Sequence, residues 1–379
     1  MSLPPLSLYV HIPWCVRKCP YCDFNSHAAP EALPEAAYVD ALLQDLDSEL
    51  PRTAGRPLHS IFIGGGTPSL FSAAAIERLL AGIRERIPLT DGAEITLEAN
   101  PGTFELARFE GYRQAGVNRL SIGIQSFNAD HLRRLGRIHN PAEALAAARA
   151  AVDIFPRVNL DLMHGLPEQT PEQALADLQQ ALEIDPGHLS WYQLTIEPNT
   201  EFHARPPRLP LDEALWEIQE RGQALLEQAG YSQYEISAHT RPGQESRHNL
   251  NYWQFGDYLG IGAGAHGKLT RYEDGQLIIE RRHKLRQPRG YFDPAQRLAG
   301  EARIPLDERP FEFMLNALRL SEGVSAELFQ ARTGVALEQI APLLQRARQQ
   351  GLLVAEPDRL APTPQGRLFL NNLLELFLE

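Results

Sequence analysis

Cysteine is scarce in this sequence: 3 cysteines occur among 379 residues, and all of them lie between positions 15 and 22. A disulfide framework is a poor explanation, because three thiols leave one unpaired and the rest of the chain supplies no partner. The first apolar stretch contains Pro4, Pro5 and Pro13 and has no cleavage-site pattern, so no secretory signal is predicted. We therefore expect a protein of a reducing compartment, the cytoplasm.

Long apolar runs and an excess of basic charge are also missing. No uncharged apolar stretch approaches the roughly 20 residues of a transmembrane helix, so a soluble protein is expected. Lysine and arginine number 36 against 48 aspartate and glutamate residues, a net charge of −12. This balance does not favour nucleic-acid or anionic-membrane binding, and no nucleic-acid partner is expected.

Short apolar runs typical of β-strands alternate with longer stretches of helical periodicity as far as about residue 240, which predicts an α/β fold around a parallel sheet. Six strands are predicted, at residues 8–12, 60–64, 94–98, 119–125, 157–163 and 189–196. Six units are too few to close an eight-fold barrel, so residues 1–240 are assigned to a barrel or partial barrel.

The pattern changes after residue 240. Residues 241–305 are assigned to a connecting segment, and its first part, 241–267, is rich in glycine and aromatic residues without a clear period. Residues 306–379 show three helical patterns, two short strand-like pieces and a last helix, which predicts a winged-helix-like α+β domain. Such domains often bind DNA, but in an acidic chain we expect a packing or partner-docking role.

The cysteines follow the spacing C-x3-C-x2-C, at Cys15, Cys19 and Cys22. Three neighbouring thiolates are typical of a metal or cluster site, because a metal compensates their charge. Zinc would need a fourth ligand, for which His11 or His27 could serve. An iron–sulfur cubane held by three thiolates leaves one iron open to a substrate. Three reduced cysteines without a metal are the third alternative.

Polar and glycine-rich features follow the predicted strands at one rim. The segment GGGTPS (64–69) follows the second strand, Glu98 and Gln125 end the third and fourth, and Asp161 lies near the end of the fifth. Because the carboxyl ends of parallel strands meet at one edge, these residues are expected to converge on one pocket.

The cysteine triplet with Tyr21 before its last member, followed by the GGGTP segment, resembles the radical S-adenosylmethionine (SAM) superfamily. The resemblance implies a partial (βα)6 barrel of radical SAM type and a 4Fe-4S cluster ligated by Cys15, Cys19 and Cys22. It also implies that SAM chelates the open iron and is cleaved to a 5′-deoxyadenosyl radical when the cluster is reduced.

Further motifs resemble the coproporphyrinogen III dehydrogenase-like branch of that superfamily. They occur in the family's order, as YVHIPWC (9–15), GGGTPS (64–69), LEANP (97–101), IGIQSFN (122–128), DLMHGLPEQT (161–170) and YEISAHTRPG (234–243). The resemblance implies contacts to SAM from Tyr9, Gly65, Gly66, Thr67, Glu98, Gln125, Arg137 and Asp161. Glu98 would accept from the amino group or ribose, Arg137 and Gln125 would contact the methionyl or sugar part, and Asp161 would pair with the ribose hydroxyls.

The branch contains dehydrogenases, which decarboxylate the propionates of coproporphyrinogen III, and the HemW group of haem chaperones. Dehydrogenases extend the triplet by a fourth cysteine, and this position is Phe24 here. Only eight residues precede Tyr9, where dehydrogenases carry a long arm. The motif H-N-x-x-Y-W, formed by His248, Asn249, Tyr252 and Trp253, resembles the HemW haem-binding motif, although a buried aromatic cluster around a hydrogen-bonded histidine is the ordinary alternative.

These resemblances favour a haem chaperone that binds a 4Fe-4S cluster, SAM and, as cargo, haem. The alternative is an oxygen-independent coproporphyrinogen III dehydrogenase, and the remote alternative is a non-catalytic zinc-binding module. The expected partners are haem and recipient haemoproteins. Homodimerisation, peripheral membrane association through partners, and haem ligation by another of the 12 histidines stay open.

Overall fold

The computed structural model describes residues 3–102 and 106–378, which form a long mixed sheet, flanking helices and a small C-terminal unit. The strands are β1 (Leu6–Ile12), β2 (Trp14–Cys15), β3 (His27–Ala28), β4 (Leu58–Gly65), β5 (Leu89–Ala99), β6 (Arg119–Gln125), β7 (Arg157–His164), β8 (Gly187–Gln193), β9 (Ser232–Glu235), β10 (Ala238–Thr240), β11 (Asp257–Ile261), β12 (His266–Glu273), β13 (Gln276–Lys284), β14 (Leu298–Arg303), β15 (Val324–Ser325) and β16 (Arg359–Leu360).

The α-helices of the described residues lie between these strands and in the C-terminal unit. They are Glu35–Glu49, Ala73–Arg86, Phe109–Ala115, Ala129–Arg134, Pro141–Ile154, Pro171–Ile184, Glu201–Ala204, Asp212–Gln228, Arg247–Trp253, Pro288–Tyr291, Arg309–Ala317, Ala326–Thr333, Ala341–Gln349, Pro364–Leu368 and Leu370–Glu375. The helices that begin at Pro141 and Pro171 each have proline at the first position and a capping box, two features that favour a helix start. None of the helices described is long and apolar enough to cross a membrane.

The principal sheet has twelve strands in the order β14-β13-β12-β11-β1-β4-β5-β6-β7-β8-β10-β9. Its central strands, from β11 to β8, are all parallel, and the strands on both flanks are antiparallel. All six strands predicted from the sequence are present and adjacent, as β1, β4, β5, β6, β7 and β8. Within the described residues β14 does not pair with β9, so the barrel stays open, as the partial-barrel prediction requires.

Alternating side chains divide the parallel strands between a helix-covered face and an interior face. On β1, Leu8 and Val10 are buried against the helices, whereas Tyr9 and its neighbours at positions 7 and 11 face inward. The inward positions of β5 to β8 are unusually polar, with Glu98, Asn159 and Asp161 among them. The core that stabilises the fold therefore lies between sheet and helices, and the barrel interior is free to carry chemistry.

The segment 241–267 is more regular than the sequence pattern indicated. It contains the helix Arg247–Trp253 and β11, which pairs in parallel with β1 through contacts such as Leu8 with Leu259. The sequence pattern does not reveal β11, because this strand is short, contains Gly260 and is stabilised by a partner about 250 positions away.

The C-terminal unit packs its helices around a second buried cluster centred on Phe313 and Phe329. A two-stranded antiparallel sheet, β15 with β16, and a bridge between Leu353 and Pro362 complete it. Helices followed by a small hairpin are the arrangement expected of a winged-helix-like unit.

Candidate functional site

A cavity of about 430 Å³ opens at the carboxyl ends of the parallel strands. Its size is within the range of about 300–1,000 Å³ that is common for small-molecule sites. The cavity is lined by residues that the sequence analysis singled out, namely Cys15, Cys19, Cys22, Gly65, Gly66, Thr67, Glu98, Gln125, Arg137 and Asp161. The parallel topology brings these widely separated residues together because each follows or ends a strand of one sheet edge.

The cysteine loop is held at the cavity by short-range structure. Cys15 ends β2, which pairs with β3, and Cys22 N–H donates to the carbonyl of Cys19 at 3.1 Å. Thr67 Oγ1 donates to Cys15 Sγ at 3.4 Å, and Arg137 Nη1 donates to Cys19 Sγ at 3.7 Å. Burial raises the pKa of the Cys15 and Cys22 thiols, so a metal that displaces their protons would supply the missing compensation.

The donor set fits an iron–sulfur cluster. In a cluster each thiolate binds its own iron, so three half-buried thiols without disulfide partners around one cavity suit it. Within residues 3–102 and 106–378, no group of three cysteine, histidine or acidic side chains is gathered closely enough to hold a single metal ion.

The glycine segment after β4 is shaped by close backbone approach. Gly65 has φ +119°, and a Cβ at this position would lie 2.7 Å from the His11 ring. A Cβ at Gly66 would lie 2.6 Å from the carbonyl oxygen of Trp14. Only glycine allows the segment to pass between β1 and the cavity without displacing the cysteine loop.

Glu98 is one of the acidic residues that line the cavity. The backbone N–H of Gly65 donates to its Oε2 at 3.0 Å. Burial and, secondarily, the charge of Asp161 raise the pKa of Glu98 to about 8, so its carboxyl group is mostly protonated at pH 7. A cation that enters the cavity would stabilise the ionised form, so the site favours a positively charged ligand.

Arg137 provides a cation at the cavity. Its Nη2 donates to Asn100 Oδ1 at 2.6 Å and to the carbonyl of Gly123 at 2.8 Å. Its buried Nε has no hydrogen-bond partner among the described residues. A planar guanidinium that lines a cavity suits an anionic group such as a ligand carboxylate.

Gln125 ends β6 with φ +66°, which is uncommon for a residue other than glycine. Its Oε1 accepts a hydrogen bond from the Tyr192 hydroxyl at 3.1 Å. The strained backbone and this bond together direct the amide towards the cavity, as is common for strain at functional sites.

Tyr9 is not among the residues that line the cavity, and the structure places it deeper in the barrel interior. Its hydroxyl donates to His11 Nδ1 at 2.8 Å, and its ring stacks on Phe62 at a centroid distance of 6.2 Å. His11 is neutral because burial lowers its pKa to about 4, and its Nε2–H donates to the carbonyl of Asn25 at 2.9 Å. The predicted contact of Tyr9 with SAM therefore stays a prediction.

The four residues of the H-N-x-x-Y-W motif lie on the helix Arg247–Trp253, away from this cavity. His248 is 3% exposed, and its ring stacks on Phe62 at 4.4 Å and contacts Tyr252 edge-on at 4.3 Å. Burial and the nearby Arg119 lower the pKa of His248 to about 3, so the imidazole is neutral. The neutral imidazole of His248 can therefore bind a metal, but the surrounding rings cover it.

The other face of the same helix points to the C-terminal unit. Trp253 packs against the second buried cluster, with the guanidinium of Arg319 4.3 Å from its ring centroid. Tyr252 and Trp253 line a cavity of only about 150 Å³, which is smaller than common ligand pockets. The structure therefore does not bring the four motif residues to one open surface.

Two residues of the site escaped the sequence analysis. Asn100 donates from Nδ2 to Thr67 Oγ1 at 3.1 Å while it accepts from Arg137, and Tyr192 orients Gln125. Asn100 lies just beyond the end of β5 and Tyr192 lies at the end of β8, so position at a strand's carboxyl end was the available signal.

Comparison with known proteins agrees with this geometry. The family model of the radical SAM superfamily matches residues 9–181, and that of the HemN C-terminal domain matches residues 304–369. The heme chaperone HemW of Escherichia coli is 55% identical over 379 residues, covering 100% of this chain and 99% of that protein. The heme chaperone HemW of Haemophilus influenzae is 56% identical over 382 residues with the same two coverages.

A solved structure also resembles the whole chain. It is coproporphyrinogen III oxidase (HemN) from Escherichia coli, described as a radical SAM enzyme, with a TM-score of 0.83 and 26% sequence identity. The match covers 99% of this chain and 90% of that chain.

Proposed function

The chain belongs to the radical SAM superfamily and, within it, to the family of the heme chaperone HemW, and we propose from this premise that it binds haem and delivers it to recipient haemoproteins. Identity above 50% over the full length of two chaperones of this name supports the proposal. The three unpaired thiols support a reducing compartment, and the proposed location is the cytoplasm.

Cys15, Cys19 and Cys22 are proposed to hold a 4Fe-4S cluster beside bound SAM. When bound, the cluster supplies a one-electron reductant and an iron with a free coordination position. Thr67 and Arg137 already donate to two of the sulfur atoms, and such bonds stabilise negative charge on them. The role of these two residues is therefore to tune and orient the sulfur ligands.

The remaining rim residues are proposed to bind SAM by charge and shape. Glu98 accepts from the ligand's amino group, Arg137 donates to its carboxylate, and Asp161 accepts from the sugar hydroxyls. Gly65 and Gly66 let the backbone approach the methionyl part, with Thr67 and Gln125 as polar neighbours. Tyr9 supports these residues from the barrel interior through its hydrogen bond to His11.

One observation carries the choice between chaperone and dehydrogenase. Phe24 stands where the related dehydrogenases have a fourth cysteine, and it lies at the cavity with 60% of its surface exposed. A phenyl ring can neither ligate a metal nor donate a hydrogen atom as a thiol does. The fold similarity to coproporphyrinogen III oxidase favours the dehydrogenase as the second candidate, but the cavity lacks this thiol.

Haem is proposed to interact with the motif residues His248, Asn249, Tyr252 and Trp253. Because His248 is covered by Phe62 and Tyr252, ligation of haem iron by its imidazole requires the helix Arg247–Trp253 to move. The neutral state of His248 suits ligation once the ring is uncovered.

The test is a paired assay on one anaerobically reconstituted sample. We expect saturable haem binding and no conversion of coproporphyrinogen III, with the Escherichia coli coproporphyrinogen III oxidase as positive control for turnover. Turnover by this protein would overturn the chaperone assignment. Zinc without iron or sulfide in anaerobically purified protein would instead establish the zinc module.

A further inference from the structure

A row of buried polar side chains runs from Asp161 into the barrel interior. Asn159 Nδ2 donates to Asp161 Oδ1 at 2.9 Å and to Ser121 Oγ at 2.8 Å. Ser121 Oγ also donates to Asp161 Oδ2 at 3.3 Å. The carboxylate that lines the cavity is therefore oriented from below by Asn159 and Ser121.

The direction of these bonds follows from one backbone amide. Asn159 Oδ1 accepts from the backbone N–H of Ser190 at 3.0 Å, and a backbone N–H can only donate. The amide oxygen therefore faces Ser190, and the amide nitrogen faces Asp161. His188 Nδ1 lies 2.7 Å from the same oxygen, so this nitrogen must carry a proton and donate.

The same order of donor and acceptor continues from His188 to Tyr234. Burial, with the charges of Arg119 and Arg157, lowers the pKa of His188 well below its usual value, so the ring is neutral. With the proton on Nδ1, Nε2 is an acceptor, and the Tyr234 hydroxyl donates to it at 3.0 Å. The tautomer of His188 is thus set from both sides.

The row begins at Tyr234, whose hydroxyl is its first donor. The donors therefore align from Tyr234 through His188 and Asn159 to Asp161. Aligned hydrogen bonds in a buried row polarise and strengthen one another.

The two ends of the row lie in different parts of the molecule. Tyr234 accepts at its carbonyl from Ser321 N–H of the C-terminal unit at 3.0 Å, and its side chain packs against the second buried cluster. The other end of the row, Asp161, lines the rim cavity. Loss of the Tyr234 hydroxyl would remove the first donor and leave the rest of the row without its terminal support.

We propose that Tyr234, His188 and Asn159 are positioning residues, which through one directed row of hydrogen bonds fix the Asp161 carboxylate for the sugar hydroxyls of SAM. The identity of that ligand rests on the proposed function.

The test compares two tyrosines that are close in sequence. Tyr234→Phe removes the hydroxyl in the row, whereas Tyr231→Phe removes a hydroxyl that bonds to Asp185 and Gly187 outside it. SAM affinity is measured by equilibrium dialysis on anaerobically reconstituted full-length protein. We expect about threefold to tenfold weaker binding for Tyr234→Phe and an unchanged dissociation constant for Tyr231→Phe.

His188→Ala provides the second variant, in case Tyr234→Phe folds poorly, because it removes the next link of the row. We expect a similar loss of SAM affinity, and the double variant should lose no more than His188→Ala alone, because one broken link already interrupts the row. If the residues had only a structural role, the melting temperature of the variants would fall and their effects on SAM affinity would not show this non-additivity.

The outcomes separate the two hypotheses. If the wild-type protein binds SAM and Tyr234→Phe and His188→Ala bind it equally well, the positioning row is overturned while the proposed function stands. If the wild-type protein itself does not bind SAM, the proposed cofactor site is overturned and the row loses its ligand.

Discussion

Two regions of the barrel interior differ in how open they are to a ligand. At the rim, a cavity of about 430 Å³ is lined by Glu98 and Arg137. At the helix Arg247–Trp253, His248 is packed between Phe62 and Tyr252, and the adjoining cavity measures about 150 Å³. The rim cavity is already open to a ligand, whereas the proposed haem motif is covered.

This difference follows from secondary structure. Strand ends of a parallel sheet point to one edge, so residues spread from Cys15 to Asp161 share a cavity. On a helix, residues four apart share a face, so His248 lies with Tyr252 and Asn249 lies with Trp253. The four residues of the motif therefore lie in two different environments rather than on one surface.

The largest expected effect concerns the cysteine loop. Cys19→Ser removes one of the three thiols while the hydrophobic core between sheet and helices is untouched, so we expect complete loss of the iron–sulfur absorbance with the fold retained. Visible absorbance with iron and sulfide analysis measures the first, and circular dichroism the second. A normal cluster content would exclude Cys19 as a ligand.

The second prediction tests the covered end. His248→Ala should weaken haem binding by at least about 100-fold and leave the cluster absorbance unchanged, because it removes the proposed iron ligand. Haem titration measures the effect, and His283→Ala, which alters an exposed histidine on β13, is the control. Equal haem affinity for His248→Ala and the wild-type protein would move the ligand to another histidine.

The third prediction tests the rim. Arg137→Lys keeps the positive charge but loses the planar donor fork that now reaches Asn100, Gly123 and Cys19. We expect roughly tenfold weaker SAM binding with haem affinity unchanged. Arg149→Lys, on the helix Pro141–Ile154, is a matched replacement away from the cavity. If Arg137→Lys weakened haem binding and Arg149→Lys did not, the rim cavity and the proposed haem motif would not be independent.

The smallest effect concerns Glu98 in protein free of cluster and SAM. The pKa of Glu98 is raised from its ordinary value of 4.5 to about 8 in the folded protein. Between these two pH values the folded protein holds a proton that the unfolded chain has released. Stability therefore falls as the pH rises from about 4.5 to about 8 and is constant above that range. Glu98→Gln should be about 1–2 kcal/mol more stable than the wild-type protein at pH 9, and the two should converge at pH 4.5.

Urea denaturation at the two pH values measures this difference. Glu85→Gln, which changes an exposed glutamate on the helix Ala73–Arg86, controls for the loss of one negative charge. A pH-independent offset for Glu98→Gln would show that the buried charge of Glu98 is not the cause.

Local patterns were sufficient for most of the fold. The apolar runs of β1 and β4 to β8 and the proline-started helices at Pro141 and Pro171 are visible in the sequence because their causes are local. β11 was missed because its partner, β1, is remote in sequence. Strand-end position predicted the convergence of Glu98, Gln125 and Asp161. Asn100 and Tyr192 also lie at strand ends, but they act on other side chains, and these contacts become visible only in three dimensions.

Haem delivery is the central claim, and one transfer measurement tests it most directly. Reconstituted protein loaded with haem is mixed anaerobically with an apo-haemoprotein, and coproporphyrinogen III is present in the same sample. The account predicts that haem appears in the acceptor at a rate above that of haem with an unrelated carrier protein, while coproporphyrinogen III stays unchanged. Consumption of coproporphyrinogen III without haem transfer would contradict it.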